Sequence, residues 1–219
     1  MGKVLGIYGA GGMGREILEL AKIINKKECT WEEFIFIDDG NVAPVINSVP
    51  VYSYINAKEK YLSNLEVTVG VGEPVTREKI FCKLKADNID TPTLIHPEVV
   101  IPETTSIGMG VTINMGSFVS CNVKIEDYVY IQPHTNIGHD DVLKEGSMIS
   151  GFCNLAGAVT VGRYTYLGLS VAVKQLVRIG DYSVIGMGSV VYKDIEDDVI
   201  AMGNPARAMK KNEEKKVFK

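Results

Sequence analysis

Residues 131–149 read Ile-Gln-Pro-His-Thr-Asn-Ile-Gly-His-Asp-Asp-Val-Leu-Lys-Glu-Gly-Ser-Met-Ile, with an aliphatic residue at every sixth position. The same spacing continues in both directions. Seventeen consecutive positions six residues apart, from Ile95 to Val191, are all Ile, Val or Leu. We therefore expect an uninterrupted six-residue repeat from about Ile95 to Ile195, and such a repeat determines the fold of whatever contains it.

A period of six residues fits neither an α-helix nor a stack of hairpins, but it fits a prism whose flat sides are short strands. Three sides make a coil of about eighteen residues, and equivalent side chains stack from coil to coil. Side chains alternate between the two faces of a strand. The aliphatic series therefore points inward, together with a second, mostly small or β-branched series four residues later. Corners need residues that tolerate positive φ, which accounts for many Gly, Asn and Asp residues. The sequence predicts a parallel β-helix.

One inward position breaks this pattern. Asp141 occupies a slot of the second series, beside His139. A carboxylate is costly to bury unless it is hydrogen-bonded or paired, and local departures from a structural rule are expected at functional sites. The region around His139 is therefore the first candidate for chemistry.

The N-terminal third has a different organisation, in which predicted strands alternate with predicted helices. This alternation indicates a small parallel α/β domain of Rossmann-like type over residues 1–93, before the β-helix and its tail over 94–219. Strands are predicted at 3–8, 34–37 and 67–71, and helices at 15–24, 57–62 and 78–85.

A glycine loop, Gly9-Ala-Gly-Gly-Met-Gly14, lies between the first strand and the first helix. Such a loop lets a phosphate approach the N–H groups of the helix, and an acid after the second strand, here Asp38-Asp39, commonly binds a ribose hydroxyl. The alternative is that these glycines only allow helix and strand to pack. A complete dinucleotide site needs two such halves, so a nucleotide-sugar is a better candidate than a nicotinamide cofactor. The predicted substrate contacts are Gly9, Gly11, Gly12, Met13, Asp38 and Asp39.

Composition excludes other classes. The net charge of −4 argues against nucleic-acid binding, which usually needs a basic surface. No window approaches the length of a membrane helix, and the start does not resemble a signal peptide. The four cysteines lack metal-binding spacing and fit reduced thiols. We expect a cytoplasmic protein that does not enter a membrane.

The combined pattern resembles a family of bacterial sugar acyltransferases, which includes sialic acid O-acetyltransferase-like proteins and nucleotide-amino-sugar N-acetyltransferases. The resemblance implies a left-handed β-helix, a homotrimer, a nucleotide-sugar held by the N-terminal domain, and acetyl-CoA in the groove between adjacent helices. The matching segments are Gly9–Gly14, Ile35–Asp39, Leu94–Pro97, Ile137–Asp140, the hexapeptides and Gly203–Arg207.

The resemblance also implies roles for single residues. His139 would be the general base and Asp140 its orienting acid, in direct transfer without an acyl-enzyme. Gly157 would polarise the thioester carbonyl, while Leu169 and Met187 would line the coenzyme A channel; no metal is expected. Where members of the family often carry histidines, this chain has Met13 and Met148, which leaves the sugar open.

Several alternatives stand beside this interpretation. The acceptor could be an amino group or a hydroxyl, on a nucleotide-sugar, a sialic acid or another glycan precursor. The fold also serves zinc carbonic anhydrases, but His96, His134 and His139 occupy three different phases of the repeat, and a metal needs converging ligands. A non-catalytic nucleotide-sugar-binding scaffold is a further class. His96 is expected to be structural, and the basic tail after Arg207 is expected to form a solvated terminal helix rather than a contact for coenzyme A phosphates.

Overall fold

The computed structural model describes residues 2–40 and 42–218. The chain forms two compact units. The first comprises the residues up to Gly72 together with Lys79–Leu94, and the second comprises Glu73–Glu78 and the residues from Ile95 onward. The boundary predicted from the sequence, after residue 93, stays a prediction.

The first unit is a five-stranded sheet with helices, as the alternation of the sequence predicts. The sheet order is β3-β4-β2-β1-β5, and every pair is parallel except β3 with β4. Helix α1 buries residues spaced three or four apart, including Ile17, Ala21 and Ile24. The elements are β1 Lys3–Tyr8, α1 Gly12–Glu28, β2 Trp31–Ile37, β3 Val45–Ile46, β4 Val49–Tyr52, α2 Tyr54–Tyr61, a 3₁₀ turn Leu62–Asn64 and β5 Leu65–Val69. Helix α3 spans Pro74–Ala86, and its residues from Lys79 onward belong to this unit.

The hairpin formed by β3 and β4 was not predicted. Its strands are too short for an alternating pattern to stand out, and its turn places Asn47 and Ser48 at positive φ. Strand β5 also begins and ends two residues before the predicted 67–71.

The second unit is a three-sided parallel β-helix. Strands of each face pair with strands eighteen residues away, as Tyr130 does with Met148. Face 1 contains β7 Ser106–Ile107, β10 Lys124–Ile125, β13 Val142–Leu143, β16 Thr160–Val161 and β19 Arg178–Ile179; face 2 contains β6 Leu94–Ile95, β8 Thr112–Ile113, β11 Tyr130–Ile131, β14 Met148–Ile149, β17 Tyr166–Leu167 and β20 Val184–Ile185; face 3 contains β9 Phe118–Val119, β12 Asn136–Ile137, β15 Asn154–Leu155, β18 Ala172–Val173 and β21 Val190–Val191.

The chain turns a corner after each strand, and these corners position the candidate site residues. We call them the first corner (face 1 to face 2), the second corner (face 2 to face 3) and the third corner (face 3 to face 1). Many corner residues at positive φ are not the expected Gly, Asn or Asp. Tyr164 and Tyr182 are examples, and their rings stack at 5.8 Å. Contact between aromatic rings of successive coils offsets the strained backbone there.

The end of the β-helix corrects two expectations. The strict repeat stops at Val191, because Ile179 pairs with Ile195, sixteen rather than eighteen residues away. The tail is not a terminal helix. Strand β22 (Val199–Gly203) continues face 2, and β23 (Ala206–Lys211) pairs antiparallel with β22. Among the described residues, no helix is both long and apolar enough to cross a membrane.

Candidate functional site

His139 lies at the third corner, between β12 and β13. The following residue, Asp140, has a φ of 61° and donates its N–H to the carbonyl of Cys121 in the preceding coil, at 3.1 Å. Both side chains are half exposed, each at 51%. The tight corner therefore presents an imidazole and a carboxylate side by side at the surface of this unit.

The two side chains are hydrogen-bonded to each other. Nδ1 of His139 lies 2.7 Å from Oδ2 of Asp140, and Oδ1 of Asp140 accepts a bond of 3.1 Å from the Asn122 amide. The bonds from His139 and Asn122 hold the pKa of Asp140 below its usual range. An ionised carboxylate only accepts hydrogen bonds, so Nδ1 of His139 carries a hydrogen, and in the neutral ring the lone pair lies on Nε2. This is the tautomer that a general base needs.

Gly157 lies one coil beyond His139 in the same column of the third corner. A methyl group on Gly157 would come within 2.3 Å of both Cε1 and Nε2 of His139, so only glycine leaves room for the ring. In the described parts of the chain, nothing accepts a hydrogen bond from the N–H of Gly157, whereas the N–H of Gly151, at the equivalent position of the preceding hexapeptide, bonds Oε1 of Gln132 at 3.0 Å. A basic nitrogen and an unused N–H donor therefore lie close together.

Asp141 is completely buried behind this pair. Its Oδ2 accepts the N–H of Gly138 and its Oδ1 accepts the N–H of Val159, each at 2.8 Å. Burial raises the pKa of Asp141 to about 7, although both N–H bonds act in the opposite direction. The sequence predicted an acid that points inward at this position, but it did not predict the two backbone N–H groups that the acid accepts.

Leu169 and Met187 lie at the second corner, so a single chain does not bring them together with His139 and Gly157. They occupy neighbouring coils in one column and are 44% and 70% exposed. The same corner also exposes Met115 and Phe152. The predicted coenzyme contacts therefore divide between a polar third corner and an apolar second corner.

The glycine loop separates into packing glycines and open glycines. A methyl group on Gly14 would lie 1.8 Å from the carbonyl oxygen of Gly9, so these two residues serve the contact between helix and strand. Gly11 and Gly12 have open space where a side chain would be, and α1 begins at Gly12. Met13 is half-buried beside them. The open positions of the loop are therefore Gly11 and Gly12.

Asp38 and Asp39 both have partners within the first unit. Asp38 accepts the N–H groups of Ala10 and Gly40, each at 3.0 Å, so it holds the glycine loop in place. Asp39 accepts the hydroxyl of Tyr8 and the N–H of Tyr54. Burial opposes its charge, but these bonds and Lys83 hold the pKa of Asp39 below its usual range.

Two further residues beside Asp39, Lys83 and Tyr54, were not identified as site residues from the sequence. Nζ of Lys83 lies 3.9 Å from the ring centroid of Tyr54 and 3.6 Å from Oδ2 of Asp39. Lys83 is separated from Asp39 by more than forty positions of sequence, so no local pattern pointed to it. Together with Tyr8, these residues surround the acid at the end of β2.

The other two histidines serve different surroundings. His96 is buried, donates its N–H to the carbonyl of Ile113 and accepts the N–H of Glu98 through Nδ1. His134 stacks on Phe152 at the second corner, with ring centroids 5.2 Å apart. Residues 2–40 and 42–218 contain no cluster of His, Cys, Asp and Glu suited to a metal ion.

Comparison with known proteins gives matches to both parts of the chain. Residues 4–84 match the family model of the PglD N-terminal domain. A GDP-perosamine N-acetyltransferase of Escherichia coli O157:H7 is 28% identical over 214 residues, which cover 94% of this chain and 96% of that protein.

Solved structures resemble the chain over nearly its whole length. The acetyltransferase domain of PglB from Neisseria gonorrhoeae FA1090, in complex with acetyl coenzyme A, has a TM-score of 0.87 at 27% identity, covering 95% of this chain and all of that one. PerB from Caulobacter crescentus, in complex with CoA and GDP-perosamine, has a TM-score of 0.86 at 26% identity, covering 96% and 98%.

Proposed function

Because the chain belongs to the family of bacterial sugar acetyltransferases, we propose that it transfers the acetyl group of acetyl-CoA to the amino group of a nucleotide-linked amino sugar. The observation that carries this proposal is the third corner. There, Nε2 of His139 faces Gly157 while Asp140 holds Nδ1 at 2.7 Å. The cytoplasm, where acetyl-CoA and nucleotide-sugars are available, is the proposed location.

In the proposed reaction, His139 acts as a general base in a ternary complex. The amine nitrogen attacks the thioester carbonyl while Nε2 of His139 takes up its proton. The new C–N bond forms, the C–S bond breaks, and the proton on His139 passes to the departing sulfur of coenzyme A. A positioned base typically accelerates such a step about 10²–10⁴-fold. Asp140 stabilises the imidazolium because its carboxylate is ionised and already bonded to Nδ1.

Gly157 is the proposed donor to the oxygen that becomes negative in the tetrahedral intermediate. Its N–H has no acceptor among the described residues, so it needs no rearrangement to bind that oxygen. A preorganised donor of this kind contributes roughly 10²–10³-fold in rate. The absence of a side chain on Gly157 keeps the base close to this donor.

The nucleotide-sugar is assigned to the first unit. We propose that its phosphates bind the N–H groups at Gly11 and Gly12, where α1 begins in open space. Gly9 and Asp38 would support this loop from behind. Met13 and Asp39 remain candidate contacts to the sugar and the nucleoside, with Tyr8 and Lys83 restraining Asp39.

A homotrimer of left-handed β-helices would complete the site. The second corner exposes an apolar stripe that includes Leu169 and Met187, and such stripes mark surfaces that bind something. We propose that acetyl-CoA lies between the third corner of one copy and the second corner of the next. Neither corner alone contains both the base and the apolar contacts.

The test is to incubate the protein with acetyl-CoA and a panel of nucleotide amino sugars, following thiol release and product mass. A mass gain of one acetyl group on the amine would support the proposal. Acetylation of a hydroxyl, on a sialic acid or another glycan precursor, would establish O-transfer instead. Binding of nucleotide-sugars without thiol release would favour a non-catalytic scaffold, and stoichiometric zinc with CO₂ hydration would favour a carbonic anhydrase.

A further inference from the structure

Asp141 fills an inward slot that threonine fills elsewhere in the same β-helix. Thr105 lies two coils earlier in the same column, and its Oγ1 accepts the N–H of Val123, eighteen residues later, at 3.3 Å. Oγ1 of Thr165 accepts the N–H of Ser183 in the same way, at 3.1 Å. Oδ1 of Asp141 repeats this bond with the N–H of Val159. One oxygen of the carboxylate is therefore enough for the structural role.

The second oxygen makes a bond that no threonine in the β-helix makes. At the third corner, the N–H of Ser120 bonds the carbonyl of Ile137 in the next coil, and the N–H of Ala156 bonds the carbonyl of Val173, each at 3.1 Å. Within the described chain, the N–H of Gly138 does not join this ladder; it donates to Oδ2 of Asp141 instead. The pairing of β12 with β15 is accordingly reduced to Asn136 with Asn154.

Asp141 accepts hydrogen bonds from two segments, and both segments carry residues of the proposed acetyl transfer. Gly138 directly precedes His139, and Val159 follows Gly157 by two residues. We propose that Asp141 is a positioning residue, whose carboxylate takes Gly138 out of the β-ladder and thereby sets the place of His139 relative to the N–H of Gly157. This inference rests on the proposed function, since it assigns a purpose to the geometry of that same site.

Burying a carboxylate has a free-energy cost that the cross-coil hydrogen bond alone does not require. Asp141 is fully buried, and the titratable side chains that act electrostatically on it are His139 and Asp140. Threonine would satisfy Val159 without bringing a charge into the core. Only a side chain with two acceptor oxygens reaches both Gly138 and Val159.

The decisive variant is D141T, which separates the two bonds. By analogy with Thr105 and Thr165, the new hydroxyl is expected to accept the N–H of Val159 and to donate to the carbonyl fifteen residues later. The bond to Gly138 is lost. We expect kcat for acetyl transfer to fall about ten- to a hundredfold, because small misplacement of a catalytic group is costly. The KM for acetyl-CoA should stay within about twofold, and the melting temperature should not fall.

Two controls separate positioning from simple destabilisation. T165V removes the matching cross-coil bond at the first corner, so it should lower the melting temperature without lowering kcat. In an H139A background, D141T should cause no further loss of rate, because Asp141 acts through His139. A wild-type kcat for D141T, an equal loss of kcat in T165V, or full additivity with H139A would each overturn the proposal.

A readout without turnover distinguishes failure of this inference from failure of the proposed function. In nuclear magnetic resonance spectra, the amide proton of Gly138 should follow the ionisation of Asp141, and the ring signals of His139 should move in D141T but not in T165V. Unchanged His139 signals in D141T would overturn the positioning role. If these signals move but the wild-type protein acetylates no sugar, the proposed function fails and the contact stands.

Discussion

The second and third corners of the β-helix are built from the same repeat, yet they present opposite chemistry. The third corner carries His139, Asp140 and the open N–H of Gly157, while the second exposes Leu169 and Met187. These corner residues, Asp140 aside, are separated by multiples of six and occupy equivalent places in their hexapeptides. The repeat therefore supplies geometrically equivalent positions, and the side chains at those positions determine the chemistry of each corner. In this chain the base lies at the third corner and the apolar surface lies at the second.

The strongest test of this comparison removes the base. H139A should lower kcat at least a hundredfold, because a general base contributes about 10²–10⁴ in rate. The melting temperature should hardly change, since the ring is half exposed. Steady-state kinetics and thermal unfolding of the same preparation measure both quantities. A loss of less than tenfold would mean that the base lies elsewhere.

G157A should be the next most damaging change. Its methyl group would come within 2.3 Å of Cε1 and Nε2, so the His139 ring must move away from its place beside the N–H donor. We expect kcat to fall about ten- to a hundredfold through misplacement of the base. The double variant H139A/G157A should be no slower than H139A if this steric effect acts through the ring. Kinetics of all three variants under one condition decide the point.

Much of the difference between the two corners could be predicted from the sequence, because the repeat determines which way each side chain points. Seventeen aliphatic positions located the strands, and the violation at Asp141 pointed to His139. The residue in the third corner that phase could not reveal is Gly138. Its N–H leaves the ladder for a side chain three residues away, and a pattern of residue types contains no information on which acceptor a backbone group selects.

Other parts of the fold could not be predicted from the sequence, for physical reasons. The short hairpin of β3 and β4 has too few residues for periodicity, and β23 is mostly exposed, so it carries no apolar signal for an antiparallel strand. The paired acids after β2 are visible in the sequence, and their contact with a substrate stays a prediction. Their partners Lys83 and Tyr54 come from distant segments that only the folded first unit brings to Asp39.

The apolar corner can be tested by placing a charge on it. M187D should weaken formation of the proposed trimer and raise the KM for acetyl-CoA by about tenfold, because a carboxylate is costly to bury in an apolar contact. M109D is the matched control, since Met109 is a methionine exposed at the first corner. Light scattering and kinetics at equal protein concentrations test both effects. A wild-type protein that stays monomeric, or an unaltered M187D, would contradict a site shared between copies.

A further expected effect concerns how stability depends on pH at the third corner. The pKa of Asp141 rises from 3.8 to about 7 on folding, so the folded state binds a proton more tightly than the unfolded state does. The associated stability is fully present below about pH 4 and is lost as the pH rises through about 7. The free energy of unfolding should therefore fall by on the order of 4 kcal/mol from this group.

Thermal or urea unfolding at pH 5, 6, 7 and 8 measures this dependence. D141T should have a flatter profile than the wild type, whereas T165V should be less stable at every pH with the wild-type slope. Parallel profiles for the wild type and D141T would show that Asp141 does not titrate in this range.

The shortened last coil affects how the end of the β-helix can pair with another chain. A stack of parallel coils ends in unpaired backbone groups, which invite another chain to add to the stack. Here the sixteen-residue step from Ile179 to Ile195 breaks the register that an incoming coil would need, and the reversed strand β23 covers the edge of β22. The two residues missing from the repeat and the pairing of β23 therefore both disfavour the addition of a further coil at this end.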